Sequence, residues 1–253
     1  MVLISQERNL KSHFFELNNV ARICSLFLCT FCVFWSFLVD DIISWWLYNT
    51  PLELGPNNEN LSLYGPFEWI QIRWGVVILL SLVSILPLLS FLLYRFASPG
   101  LYQREKNWLS AVLFVATTII PLVIYCLWVY GIPYLIQISI YIGSPEDVYV
   151  RYDAASLLSF GLGVSWVLVI WSFSVIILSL TRIFGMIKNG QTRFRNRILA
   201  ITAGILILTL PMEFDGIRIL IGLTVAITAD YFSRTAPITL TPWDETIHND
   251  SFE

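Results

Sequence analysis

Glu105 lies in a polar island, Phe96-Ala-Ser-Pro-Gly-Leu-Tyr-Gln-Arg-Glu-Lys106, wedged between two long apolar runs, and Glu16 lies in Ser12-His-Phe-Phe-Glu-Leu17, just ahead of another. A carboxylate accepts two parallel hydrogen bonds from a guanidinium, a stronger and more directional pairing than it makes with a Lys ammonium. Two such acids held at one face would suit two adjacent arginines on an extended peptide, so the chemistry on offer is recognition of a cationic ligand. A second reading stays open: Glu105 pairs with Arg104, Lys106 or another base of the same loops, as one more weak exposed ion pair. Within the island, Pro99 disfavours helical continuation and Gly100 permits a positive φ, which would set the angle at which the chain leaves the turn.

Other chemistry finds little support. Cys24, Cys29, Cys32 and Cys126 all lie in apolar runs. The pair Cys29-x-x-Cys32 would suggest redox or zinc chemistry in a soluble setting. Here the four read as small hydrophobes. His13 and His248 show no metal spacing. There is no G-x-x-x-x-G-K-[ST] loop, no H-E-x-x-H, no pair of membrane aspartates and no Ser/Lys dyad, so the chain does not read as an enzyme. Neither a cofactor nor a nucleic-acid partner is expected. A secondary transporter for a small solute or ion is the alternative reading. Such proteins place ionisable residues near the membrane midplane at broken helices, whereas these apolar runs have centres nearly bare of charge and show no repeat.

The elements that must position the two acids are set by composition. The 253 residues are 57% hydrophobic and 13% charged, against roughly a quarter charged in soluble domains, which describes an integral membrane protein. The first apolar run begins near Val20 behind polar and charged residues, unlike a cleavable signal peptide. Six runs stand out, at about 21–39, 69–95, 108–129, 156–181, 198–210 and 217–229, and they predict an all-α bundle of six spans over residues 1–234. The last two have thirteen residues each, which at ~1.5 Å per residue is ~20 Å, short of ~30 Å of hydrocarbon. Joined by Pro211-Met-Glu-Phe-Asp-Gly216, they predict a short helical hairpin that thins the bilayer or packs where protein replaces lipid.

With the N-terminus inside, Arg8, Lys11, Arg22, Arg95, Arg104, Lys106, Arg182, Lys188, Arg193, Arg195, Arg197 and Arg234 are cytoplasmic, and Arg73, Arg151 and Arg218 are outside. Twelve against three orients both termini to the cytoplasm. The outer loops carry acids such as Asp40, Glu68, Glu146 and Asp153, with a belt of Trp and Tyr. Arg73 and Arg218, near outer span ends, read as snorkelling side chains, and Asp230 as snorkelling or paired with Arg234. Arg193, Arg195 and Arg197 read as topology determinants beside anionic lipid. Pro87 and Pro121 fall inside the second and third spans, where each removes a helical hydrogen bond and either kinks the helix or is absorbed by its neighbours. Residues 235–253, with two prolines and four acids, read as a solvated cytoplasmic tail.

These residues together resemble the TatC family, the multi-spanning subunit of the twin-arginine, Sec-independent protein translocase. His13-Phe-Phe-Glu16-Leu17 is similar to its His-Leu-x-Glu-Leu motif. Pro87, Phe96, Pro99-Gly100-Leu101-Tyr102 and Glu105 match its second span and first cytoplasmic loop with the same spacing. Leu158-Ser159-Phe160 and Tyr231-Phe232-Ser233-Arg234 match motifs of the fourth and sixth spans, so the likeness covers residues 12 to 234. It implies a concave, glove-like bundle in a prokaryotic plasma membrane, with no active site of its own. It implies that Glu16 and Glu105 bind twin-arginine signal peptides, with Phe96, Pro99, Gly100, Leu101 and Tyr102 shaping the site. Partners of the TatA and TatB type, self-association and export of folded proteins driven by the proton-motive force are also implied.

The chain departs from the family in three places. The stretch Val167–Phe173 has no acid where the family carries one in span four. Asn18 and Asn19 follow Glu-Leu where an arginine is usual. Pro211-Met212-Glu213-Phe214-Asp215 replaces a Pro-Pro-Asp turn, with either Glu213 or Asp215 as the substitute acid. These departures describe a divergent member, with an archaeal branch the expected origin.

Overall fold

A chain this apolar satisfies its backbone polar groups within itself, and helices do so segment by segment. The computed structural model describes residues 2–50, 61–62, 65–143, 152–184 and 192–236. The predicted tail beyond 236 lies outside these residues. The order is α1 (Val2–Asn49), β1 (Leu61–Ser62), α2 (Pro66–Ala97), a 3-10 turn (Ser98–Gly100), α3 (Gln103–Phe114), α4 (Ile120–Cys126), α5 (Ile132–Gly143), β2 (Tyr152–Asp153), α6 (Ala154–Ile183), α7 (Thr192–Thr209) and α8 (Arg218–Ser233). The two short strands form a parallel pair, Leu61 beside Tyr152 and Ser62 beside Asp153, that ties two connections together. Asn18–Asn49, Phe67–Gly100, Gln103–Ser139 and Ala154–Ile183 are long and apolar enough to cross a membrane. This is a multi-pass membrane bundle.

α6 is the hub, packing against α2, α3, α4, α7 and α8, while α1 lies along α2. Its buried face alternates Leu158, Leu162 and Val169 with Gly161, Gly163, Ser165, Ser172 and Ser174, small residues that let neighbouring helices approach closely. The main core gathers Val39, Ile43 and Trp46 of α1 with Val76, Val77 and Leu79 of α2 and Leu158 and Leu162 of α6. Asp153 caps α6, accepting from the backbone N–H of Ala155 at 3.3 Å and of Ser156 at 3.1 Å.

Helix ends and prolines follow from local charge. Pro66 opens α2 with Glu68 in its first turn and Arg95 in its last, both favourable to the helix dipole. α2 runs through Pro87 without a break. α1 continues past its apolar run to Asn49, and Asp40 within it is paired. Arg73 Nε of α2 donates to Asp40 Oδ1 at 2.8 Å and its Nη2 donates to Ser36 O at 3.1 Å. Arg73 is thus a tie between helices, where snorkelling was expected. Arg218 instead makes a local ion pair with Asp215, three residues back in the turn before α8, at 2.9 Å.

α3, α4 and α5 form one continuous rod, joined by single π-turns at Val115–Ile119 and Leu127–Gly131. The first π-turn shifts the hydrogen-bond register, Ile120 donating to Val115 O, just ahead of Pro121, which has no N–H to offer. The second leaves a carbonyl over. Ile132 N–H donates to Leu127 O, and Pro133 has none, so Trp128 O loses its helical donor. Trp46 Nε1 of α1 supplies the bond at 2.7 Å. Trp128 Nε1 in turn donates to Ser165 Oγ of α6 at 2.9 Å, so one relay stitches three helices.

α7 and α8 are joined by a turn at Pro211–Ile217, with Gly216 at φ +88. Phe214 anchors that turn on α6. Its ring stacks on Phe160 at 5.6 Å between centroids and fills the space where Gly163 lacks a Cβ.

Candidate functional site

The polar island folds as a tight corner between α2 and α3. Ala97 and Leu101 are buried against Leu109, Leu113, Ile176 and Ile183, which fixes the corner to α6 and leaves Pro99, Gly100 and Tyr102 exposed. Phe96 is half-buried. The corner needs no left-handed residue, contrary to the expectation for Gly100. Ser98–Gly100 make a right-handed 3-10 turn closed by Leu101 N–H to Ser98 O at 3.3 Å, and Gly216 is the positive-φ glycine among the described residues. A Cβ at Gly100 would meet nothing within 4 Å, so the space beside this corner is open.

Tyr102 caps α3 in extended conformation, and Glu105 at the third helical position reaches back, its Oε2 accepting from Tyr102 N–H at 2.9 Å. Glu105 is only 4% exposed, and its Oε1 has no partner among the described residues. The alternative pairing with Arg104 or Lys106 is absent from the described contacts: one carboxylate oxygen serves the helix end, while Arg104 is exposed and Lys106 half-buried. A buried carboxylate oxygen without a partner is costly, and a charged donor relieves the cost most fully. Glu16 lies on α1, and its side chain falls outside the described residues.

The same basic end of the bundle holds a buried cluster. Arg182 of α6 and Asp230 of α8, 9% and 8% exposed, pair at 2.7 Å, and Arg182 Nε donates to Ser233 Oγ at 3.0 Å. Arg234 also reaches Asp230, at 2.7 Å on its other oxygen. At the opposite, acidic end, Glu68 of α2, Asp153 ahead of α6 and Glu213 of the α7–α8 turn line one cavity of about 650 Å³. Among the described residues no group of three His, Cys, Asp or Glu side chains is arranged to hold a metal ion.

The family model of the Sec-independent protein translocase protein TatC matches residues 12–221. The chain belongs to the TatC family. It is 29% identical over 120 residues to the Sec-independent protein translocase protein TatC of Methanocella arvoryzae, a match over 44% of this chain and 46% of that protein. The match thus spans about half the length of that relative. A crystal structure of the twin arginine translocase receptor TatC shares the fold at TM-score 0.60 and 16% identity, covering 88% of this chain and 99% of that one. A crystal structure of that receptor in DDM aligns at TM-score 0.59 and 16% identity, over 89% and 99%.

In this TatC-family chain the two acids of the α7–α8 turn differ in their surroundings. Both are exposed, but Asp215 pairs with Arg218 and Glu213 lines the cavity. α6 has no acid over 167–173, yet its Ser159 and Trp166 border a cavity whose carboxylates come from neighbouring segments. Glu68 and Asp153 read as ordinary outer-loop acids because they lie 85 residues apart in sequence. Arg182, read as a topology charge, is a buried partner of Asp230. The hint available was an Asp and an Arg at the same end of two apolar runs. Pro87 lines a shallow notch with Ser90 and Thr117, and Pro121 lines an apolar cavity of about 310 Å³ with Trp45, Trp46 and Trp128.

Proposed function

We propose that this chain is the receptor subunit of a twin-arginine translocase. It spans a prokaryotic plasma membrane six times with both termini cytoplasmic. It binds signal peptides at the basic end, and with TatA/TatB-type single-span partners and further copies of itself it passes folded proteins outward. The energy is the proton-motive force, and the chain performs no covalent chemistry. Glu16 and Glu105 accept the paired guanidiniums. Tyr102, Pro99 and Gly100 flank the peptide at the open corner, and Phe96 and Leu101 hold that corner in place.

The observation that carries the reading is Glu105 itself. One oxygen is held by the α3 cap and the other is buried without a partner, so the carboxylate is oriented before any ligand arrives. Family membership supplies the peptide class, and the exposed corner supplies room for an extended chain. The test is photocrosslinking from probes at the exposed neighbours Asn19 and Tyr102, which leave both carboxylates in place, to a twin-arginine signal peptide in native membranes, beside a twin-lysine peptide. Arginine-dependent crosslinks at both positions are expected. Equal labelling by twin-lysine, or none at either position, overturns the assignment.

A further inference from the structure

The basic end carries a second feature that signal-peptide binding leaves unused: a narrow apolar groove of about 250 Å³ between α3, α6 and α8. Trp108 and Ala111 of α3 and Val115 of the π-turn after it form one wall, with Trp171 of α6 opposite and Phe232 of α8 and Thr235 just beyond it closing the basic rim. The α3 residues recur at helical spacing, and the same stripe continues one turn beyond Trp108 to Arg104, which is exposed. Arg234 stands between Phe232 and Thr235, with its side chain 59% exposed. Asp230, the acid beside it, is shared with buried Arg182, so two guanidiniums face one carboxylate. Glu105 beside Arg104 is turned inward to its cap. The rim therefore carries surplus positive charge above an apolar channel. The α6 wall runs from Ile176 to Trp171. Trp171, about 18 Å along α6 from its basic end at Ile183, packs edge-on against Phe232 at 5.3 Å, so the groove lies within the hydrocarbon layer below the rim. A volume of about 250 Å³ suits part of one acyl chain and is too small for a helix about 10–12 Å across.

We propose that this groove is a binding site for an anionic phospholipid of the leaflet at the basic end. Its phosphodiester sits between Arg104 and Arg234, and one acyl chain lies along Trp108, Trp171 and Phe232. A zwitterionic lipid would bring a cationic headgroup against the same two arginines, so the site discriminates by charge.

Bromine in an acyl chain quenches an indole it touches, which makes the groove tryptophans reporters. Full-length protein in neutral detergent is titrated with phosphatidylglycerol brominated in mid-chain, and separately with phosphatidylcholine carrying the same label. Saturable quenching is expected at about fivefold or more lower concentration for phosphatidylglycerol, and Trp108→Phe and Trp171→Phe should each remove part of it. Combining Arg104→Gln with Arg234→Gln should bring the two lipids to within about twofold of each other. Because Arg234 also holds Asp230, Arg104→Gln alone, outside that ion cluster, must reduce the preference too. Ala111→Phe, which fills the groove and spares both arginines, must remove the saturable component. Equal quenching by both lipids, or a preference that survives the arginine or groove-filling variants, overturns the proposal. So does the lack of any saturable component, the outcome if residues 237–253 or a partner segment fill the groove.

Discussion

Glu105 holds two roles that substitution can separate. As an acceptor for Tyr102 N–H it closes the first turn of α3, and as a charge it serves a guanidinium. Glu105→Gln keeps an amide oxygen for the cap and loses the charge, whereas Glu105→Ala loses both. The glutamine variant is expected to unfold in detergent within about 0.5 kcal/mol of the parent, and the alanine variant to lose about 1–2 kcal/mol. Both are expected to lose arginine-dependent crosslinking. Thermal unfolding alongside crosslinking separates the roles, and equal destabilisation by the two variants would remove the cap from the account. The cap escaped the sequence reading for a local reason. A capping box is recognised by Ser or Thr at the cap, and Tyr102 offers only its backbone. The carboxylate thus reads as an exposed charge when it is 4% exposed. Gly100 misleads in the other direction, since glycine permits a positive φ without requiring one.

At the level of helices, the third rod is held by what it lacks. Pro133 removes an N–H, Trp128 O is left without a helical donor, and Trp46 takes its place from 82 residues away. Trp46→Phe should therefore cost about 1–3 kcal/mol, the penalty of a buried carbonyl left unpaired. Pro133→Ala restores an N–H within reach of that carbonyl, so in its background the cost of Trp46→Phe should fall by at least about half. A double-mutant cycle on thermal unfolding reads this directly, and simple additivity would refute the orphan-carbonyl account. A second prediction concerns the α7–α8 turn. A Cβ on Gly163 would stand 2.2 Å from the Phe214 ring, so Gly163→Ala must push the turn off α6, at about 1–3 kcal/mol. Shortening Phe214 to Leu should recover part of the loss; if it deepens it instead, the contact does not set the turn. The apolar runs and the proline at the start of α2 made the helices legible. The Trp46–Trp128 bond, the Arg73–Asp40 tie and the Phe214 knob were not, because each depends on a partner more than thirty residues away that periodicity does not name.

Across the whole molecule, lengths and charges are unequally distributed, and that inequality governs how the bundle meets lipid. Four helical stretches are long enough to cross, but α7 has 18 residues and α8 has 16, about 27 Å and 24 Å at ~1.5 Å per residue. The hairpin's ends are pinned, at the acidic end by Phe214 on Gly163 and at the basic end by Arg182 on Asp230. It therefore has little freedom to slide, and if the hairpin crosses the membrane as proposed, a bilayer of ~30 Å must thin beside it or leave its polar ends in hydrocarbon. At fractions of a kcal/mol per Å, the shortfall of about 10 Å in the two apolar runs costs on the order of 3–5 kcal/mol. The protein should accordingly be most stable in bilayers of short-chain lipid, and should lose about that much when moved to long-chain lipid of the same headgroup. Thermal unfolding in nanodiscs of graded acyl length checks this. The loss should be smaller in Gly163→Ala, because a hairpin released at its acidic end can tilt or shift to follow the bilayer. Stability that rises steadily with thickness, or a variant as sensitive as the parent, would mean that the four long helices alone set the match to the membrane.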